Sequence, residues 1–319
     1  MRIVFMGTPE FAIPVLTKLI ESEHSVAAVI SAPDKERGRG KQISFTPVKE
    51  FAIKNKLPVF TPVNLRDNEF LASMKSFEPD LFVVVAFRIL PKELYTIPKY
   101  GSINLHGSLL PKFRGAAPIQ WALINGEKET GVTTFFLEDK VDTGNIILQS
   151  KIGIDEEDDF GSLHDKLKNL GADLVLETVN LIEQSKAVTS LQENSIASPA
   201  PKITKEICEI NWNKNAVEIH NLIKGLSPYP GAFFVTEVKK FKIFKTNIVV
   251  DHSKFENREW KTIPLSLNQI HSSTLSIIQN KKEIYVKTGD RILQILELQP
   301  EGRKRMTAEE FLRGHSFLK

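Results

Sequence analysis

Over the first half of this 319-residue chain, short apolar runs alternate with stretches whose apolar residues recur every three or four positions. Ile3-Val4-Phe5-Met6 has the make-up of a buried parallel strand. Gly7-Thr8-Pro9 breaks that run, and Thr8 is placed to cap a helix opening at Pro9, with Phe11, Val15, Leu16 and Leu19 at helical spacing. Further strands are predicted over residues 26–30, 81–85, 102–106 and 133–137, the Leu81-Phe82-Val83-Val84-Val85 run being the strongest. Helices are predicted over 47–55, 116–125 and 162–183, the last with Leu163, Leu167, Leu170 and Leu174 on one stripe. This alternation predicts an α/β architecture, a Rossmann-like, doubly wound and mostly parallel sheet. Such sheets collect ligands at the carboxyl ends of their strands.

The pattern changes near residue 186. Residues 185–205 are polar, hold Pro199 and Pro201, and read as a linker. A helix over 216–225 follows, and then, after Pro228-Tyr229-Pro230-Gly231, short strand-like segments at 232–238, 242–249, 275–279, 283–287 and 293–298. These predict a smaller C-terminal β-barrel, OB-like. The last helix opens at Thr307, with Glu310 completing a capping box. The organisation expected is 1–185 catalytic, 186–205 linker and 206–319 C-terminal domain.

Composition is that of a globular protein, 41% apolar and 25% charged. No apolar run approaches the length that spans a bilayer, the first residues are too short for a secretory h-region, and Cys208 is the single cysteine. A cytoplasmic protein with no membrane association is expected, and a monomer. The net charge of +3 is unevenly spread: residues 201–319 carry 20 Lys and Arg against 13 Asp and Glu, a net of +7. A basic C-terminal third on an acidic body fits a polyanionic partner.

Candidate chemistry gathers at Asn104 and His106. Two residues apart on one predicted strand, they share a face. Two polar side chains on an apolar strand are costly without partners or a ligand. Asp142 lies in the turn-rich Val141-Asp142-Thr143-Gly144-Asn145 loop after the 133–137 strand. If those strands run parallel, their ends share one sheet edge, and Asp142 reaches His106. The trio suits acyl transfer to an amine: His106 as general base, the Asn104 amide donating to the oxyanion, Asp142 orienting the imidazole and stabilising its charged form. The amine attacks directly, so no nucleophilic Ser or Cys is needed. By itself, Asn-x-His at a strand end also describes a core histidine satisfied by a carbonyl, the commoner arrangement. None of the seven histidines has zinc-like spacing, and no metal is expected.

The residues around the trio sharpen this. Asn104-Leu105-His106-Gly107-Ser108-Leu109-Leu110-Pro111-Lys112-Phe113-Arg114-Gly115-Ala116-Ala117-Pro118-Ile119 resembles the signature of folate-dependent formyltransferases, most closely those that act on methionyl-tRNA. The likeness runs along the chain: Gly7-Thr8-Pro9-Glu10-Phe11, the basic loop from Pro33-Asp34 to Lys41, Glu129-Thr130-Gly131-Val132-Thr133, Asp142-Thr143-Gly144, Ile210-Asn211-Trp212, and Leu298 to Lys304. It implies Asn104, His106 and Asp142 as catalytic residues and 10-formyltetrahydrofolate as donor. It places the folate by Ala86, Phe87, Leu90, Asp139 and the Ser108-Leu109-Leu110-Pro111 turn. One departure falls here: the family often has Ala-Tyr-Gly-x-x-Leu-Pro where this chain has Ala86-Phe87-Arg88-Ile89-Leu90-Pro91, one residue shorter.

The resemblance also implies initiator methionyl-tRNA as acceptor, its acceptor stem against the loop of Lys35, Arg37, Arg39 and Lys41, with Arg39 foremost. In the C-terminal part, Lys239, Lys240, Lys242 and Lys245, and Arg303, Lys304 and Arg305, form two basic clusters suited to phosphates. Small-acceptor formyltransferases share the trio but have no need of a basic loop or a basic second domain. A dinucleotide oxidoreductase is disfavoured because Gly7-Thr8-Pro9-Glu10-Phe11 lacks Gly-x-Gly-x-x-Gly. A binding protein that has lost catalysis is disfavoured by the intact trio.

Overall fold

A computed structural model of the chain describes residues 1–37, 42–251, 253–255, 258–266, 270 and 274–318. These fall into two compact units, Met1–Pro118 with Glu129–Gly153 and His164–Pro201, and Ile119–Lys128 with Ile154–Leu163 and Lys202–Lys319. The polar stretch 186–201 thus groups with the first unit.

The first unit holds β1 (Arg2–Gly7), α1 (Ile13–Glu21), β2 (Ser25–Ile30), β3 (Lys35–Arg37), β4 (Gln42–Ser44), α2 (Pro47–Lys54), β5 (Val59–Phe60), α3 (Asn68–Ser76), β6 (Leu81–Val85), α4 (Lys92–Tyr95) and β7 (Ser102–His106). The chain then forms α5 (Pro118–Ile124), β8 (Glu129–Phe136), β9 (Ile146–Gly153) and α6 (Phe160–Glu183). Seven of these strands make one sheet in the order β5-β2-β1-β6-β7-β8-β9. The pairs from β5 to β7 are parallel, while β8 and β9 add in antiparallel fashion. The parallel strands β1, β2 and β6 are mainly apolar, as strands covered on both faces are; all five residues of β6 are buried.

Local signals set several helix starts: Thr46 accepts from the Lys49 N–H at α2, and Asp67 from the Phe70 N–H at α3. Thr8 does not cap. Pro9 is extended, a single 3-10 turn over Glu10–Ala12 follows, and α1 starts at Ile13 with no side-chain cap. Strands β5 and β9 and helix α3 are absent from the sequence reading; β5 has only two residues.

The second unit carries α7 (Ala216–Leu226), β10 (Ala232–Val235), β11 (Lys240–Val249), β12 (Lys261–Pro264), β13 (Thr274–Gln279), β14 (Ile284–Lys287), β15 (Ile292–Pro300), β16 (Met306–Thr307) and α8 (Ala308–Gly314). Its antiparallel sheet runs β10-β11-β15-β14-β13-β12, with β16 on β15. A bridge between Thr236 and Leu265, just past the two outermost strands, curls the sheet back on itself. This is the OB-like, barrel-type second domain, filled by Trp212, Phe233, Phe234, Phe241, Phe311 and Phe317. The capping box at Thr307 and Glu310 is formed as read.

Candidate active site

Asn104 and His106 occupy the C-terminal half of β7, between β6 and β8. His106 is 5% exposed. Its Nε2 lies 2.8 Å from the Phe113 carbonyl oxygen and its Nδ1 3.8 Å from Asp142 Oδ2. The carbonyl can only accept, so Nε2 carries a proton and, in the neutral ring, the lone pair is on Nδ1. Both nitrogens therefore face acceptors. The half-buried Asn104 side chain has no hydrogen bond among the described residues.

Asp142 reaches this point by a different route from the one the sequence implied. Strand β8 is antiparallel to β7, so Phe136 pairs with Ile103 and the Leu137 N–H donates to Ser102 O, at the far end of β7 from His106. The 138–145 loop must fold back along the sheet. Asp142 does so with φ at 55°, in the left-handed region, and its Oδ2 accepts from the Gly115 N–H at 2.8 Å. Gly144 lies so close behind that a Cβ there would overlap the Phe136 carbonyl oxygen.

The turn after β7 is held from several sides. Thr133 Oγ1 donates to Ser108 O at 2.7 Å and accepts from the Leu110 N–H at 3.1 Å, while Gln149 Nε2 donates to Leu110 O at 2.8 Å. Ser108 turns inward, its hydroxyl on Lys112 O. Leu110 and Pro111 are buried and Leu109 half-buried. On the neighbouring loop, Ala86 is exposed with φ at 48°, Phe87 is half-buried and Leu90 buried. Arg88 donates to the Pro62 and Val63 carbonyls at 2.7 and 3.0 Å, and partial burial lowers its pKa. Asp139 is exposed and accepts from Tyr95 Oη at 2.6 Å, with Lys92 Nζ at 3.4 Å. Those two donors pull its carboxyl below the usual range, and the same bond pushes Tyr95 up to about 12. A cleft of about 490 Å³ lined by Phe60, Pro62, Val63, Asn64 and Phe70 includes none of the predicted site residues. Among the described residues no His, Cys, Asp and Glu cluster could hold a metal ion.

Of the basic loop, Lys35 and Arg37 fall in β3, and Arg39 and Lys41 lie outside the described residues. In the second unit, several predicted cations already have partners. Lys245 pairs with Glu157 at 2.7 Å and Arg305 with Glu297 at 2.6 Å; Lys242 donates to Pro230 O, and Lys240 sits 3.7 Å over the Phe233 ring. Lys239, Arg303 and Lys304 are exposed and have no ion-pair partner among the described residues.

Sequence reasoning did not find the Phe113 carbonyl, the Gly115 N–H, or Arg114 and Gln192. Arg114 Nε and Nη2 donate to Gln192 Oε1 at 3.0 and 2.7 Å, and Gln192 Nε2 donates to the carbonyls of Asp142 and Gly144 at 2.9 and 2.8 Å. Gln192 falls in the stretch read as linker, where nothing local marks it.

Residues 1–179 match the formyl transferase family, and residues 202–316 the formyl transferase C-terminal domain. The methionyl-tRNA formyltransferase of Caldanaerobacter subterraneus subsp. tengcongensis is 46% identical over 99% of this chain and 97% of its own. That of Flavobacterium johnsoniae is 44% identical, again over 99% and 97%. The fold is shared with a sugar 3N-formyl transferase solved with dTDP and 5-N-formyl-THF, at a TM-score of 0.66 and 19% identity over 95% of this chain and 99% of that one. It is shared also with HypX from Aquifex aeolicus in complex with tetrahydrofolic acid, at 0.63 and 16% over 100% of this chain and 48% of that one. With both halves of the chain matched in order and such identity over nearly its whole length, the chain belongs to the formyl transferase family, within its methionyl-tRNA formyltransferase branch.

Proposed function

We propose that this enzyme transfers a formyl group from 10-formyltetrahydrofolate to the α-amino group of initiator methionyl-tRNA in the cytoplasm, acting as a monomer. Transfer belongs to the first unit and contact with the tRNA body to the second. The observation that carries the reading is His106, held by the Phe113 carbonyl on one nitrogen and facing the Asp142 carboxylate with the other.

The neutral imidazole holds its lone pair at Nδ1 and takes the proton that the attacking amine must lose. The ring then presents N–H groups to Phe113 O and to Asp142, so the charge that develops meets a carboxylate. The Asn104 amide donates to the oxygen of the formyl group as it becomes an oxyanion. The donor lies against the Ala86–Pro91 loop, the Ser108–Pro111 turn and Asp139. Lys35, Arg37, Arg39 and Lys41 meet the acceptor stem, and Lys240, Lys242, Arg303 and Lys304 the tRNA body. The formylation assay tests this with charged initiator tRNA, charged elongator tRNA and a small amine side by side. Formylation of the initiator alone supports the reading, and transfer to the small amine with both tRNAs inert overturns it.

A further inference from the structure

The antiparallel placement of β8 leaves the loop bearing Asp142 at the wrong end of β7, and what returns it lies outside the sheet. Segment 190–200 runs back over the first unit. Its Ser190 and Ile146 exchange two backbone hydrogen bonds of 2.9 Å. The Arg114 N–H donates to Ser198 O at 2.8 Å, the Phe113 N–H to Ser198 Oγ at 2.9 Å and the Ala117 N–H to Ala200 O at 3.1 Å. The same segment thus grips both loops that meet at His106: the one supplying the Phe113 carbonyl and the Gly115 N–H, and the one supplying Asp142.

Gln192 is the joint between them. Its Oε1 takes two hydrogen bonds from the Arg114 guanidinium, and its amide N–H groups go to the carbonyls of Asp142 and Gly144. An apolar side chain can make none of these bonds, and two of them fasten the stretch whose φ at Asp142 is left-handed. An unfastened left-handed Asp relaxes readily, and its carboxylate moves away from His106. We infer that Gln192 is a positioning residue for formyl transfer, locking Asp142 in register with His106 from within the segment that joins the two family-matched regions. The inference rests on the roles proposed for His106 and Asp142.

The test is a cycle of Gln192→Ala, Asp142→Asn and the double variant, with kcat and KM for donor and methionyl-tRNA and a thermal melt of each. Gln192→Ala is expected to lower kcat about 10- to 100-fold, as misplacement of a reacting group does, with both KM values within about two-fold. In the Asp142→Asn background the same change should cost almost nothing further, because the group it positions is already disabled. Gln192→Glu keeps the acceptor for Arg114 but sets an oxygen against two carbonyls, and it should be no better than alanine. Arg114→Met provides the second variant should Gln192→Ala melt early, and should give the same kcat defect in smaller degree. Wild-type kcat in Gln192→Ala, or a full additive loss in the double variant, overturns the inference while leaving the function intact. Full activity in Asp142→Asn overturns the underlying reading, and the inference with it.

Discussion

The Gly115 N–H donates to Asp142 Oδ2 at 2.8 Å, joining two loops 27 residues apart and turning the carboxylate toward His106. Gly115 has φ at 125°, and a Cβ there would lie 2.6 Å from the Ala200 carbonyl oxygen. Gly115→Ala is expected to cost roughly 1–3 kcal/mol of strain. A lowered melting temperature together with a fall in kcat checks this; an unchanged melt would show that the backbone accommodates the methyl.

Single substitutions of the trio should separate their roles. His106→Ala is expected to reduce kcat about 10²- to 10⁴-fold, the usual worth of a general base. Asn104→Ala should cost about 10²- to 10³-fold, the worth of one oxyanion donor. Single-turnover rates at saturating donor and acceptor are the measurement, and a rate for either variant close to wild type would remove that residue from the mechanism.

Tyr95 should titrate far above an ordinary phenol. Its hydroxyl donates to the Asp139 carboxylate, which favours the neutral phenol and holds it up to about 12 from the usual 10.0. A group with a raised folded pKa adds stability below its unfolded value and loses it as the pH climbs through the folded one. The phenolate absorbance difference between wild type and Tyr95→Phe gives the midpoint, which Asp139→Asn should bring down toward the usual 10.0.

His220 should make the second unit acid-sensitive. It is half-buried, with Nδ1 2.9 Å from Thr246 Oγ1, and desolvation, then Lys224, depresses its pKa below 6.5. The sign follows: the unfolded chain takes up the proton first, so stability is full above 6.5 and falls as the pH drops through the lower folded value. Thermal melts between about pH 7.5 and about pH 5 should fall less steeply in His220→Gln. An identical slope in the variant would assign the acid sensitivity elsewhere.

Charge reversal should discriminate among the cations of the second unit. Lys239, Arg303 and Lys304 are exposed, whereas Lys245 and Arg305 are held by Glu157 and Glu297. Reversing the first three should raise KM for tRNA and flatten its salt dependence, by about one unit of log–log slope for each phosphate no longer neutralised. Lys245→Glu should act mainly on stability, through repulsion from Glu157. Equal effects on KM from both sets would mean that the ion pairs open on binding.

Much of this protein was open to reading in one dimension. The apolar runs at 3–6, 26–30 and 81–85 became β1, β2 and β6, because a strand covered on both faces is built mainly of apolar residues, and the shorter run at 102–106, apolar only at Ile103 and Leu105, became β7. The capping box of α8 and the pairing of Asn104 with His106 on one strand needed only spacing. The resemblance of the 104–119 segment was legible for the same reason: it is contiguous.

Tertiary structure alone decided how the site closes. Whether β8 runs with or against β7 depends on the path of the chain between them, and no periodicity within β8 records it. The Phe113 carbonyl, the Gly115 N–H and the Gln192 amide are backbone groups or an ordinary polar side chain, set 7, 27 and 50 residues from their partners. Their chemistry is generic and present throughout any chain. Only folding, by removing water and bringing loops distant in sequence together, gives these groups a particular partner.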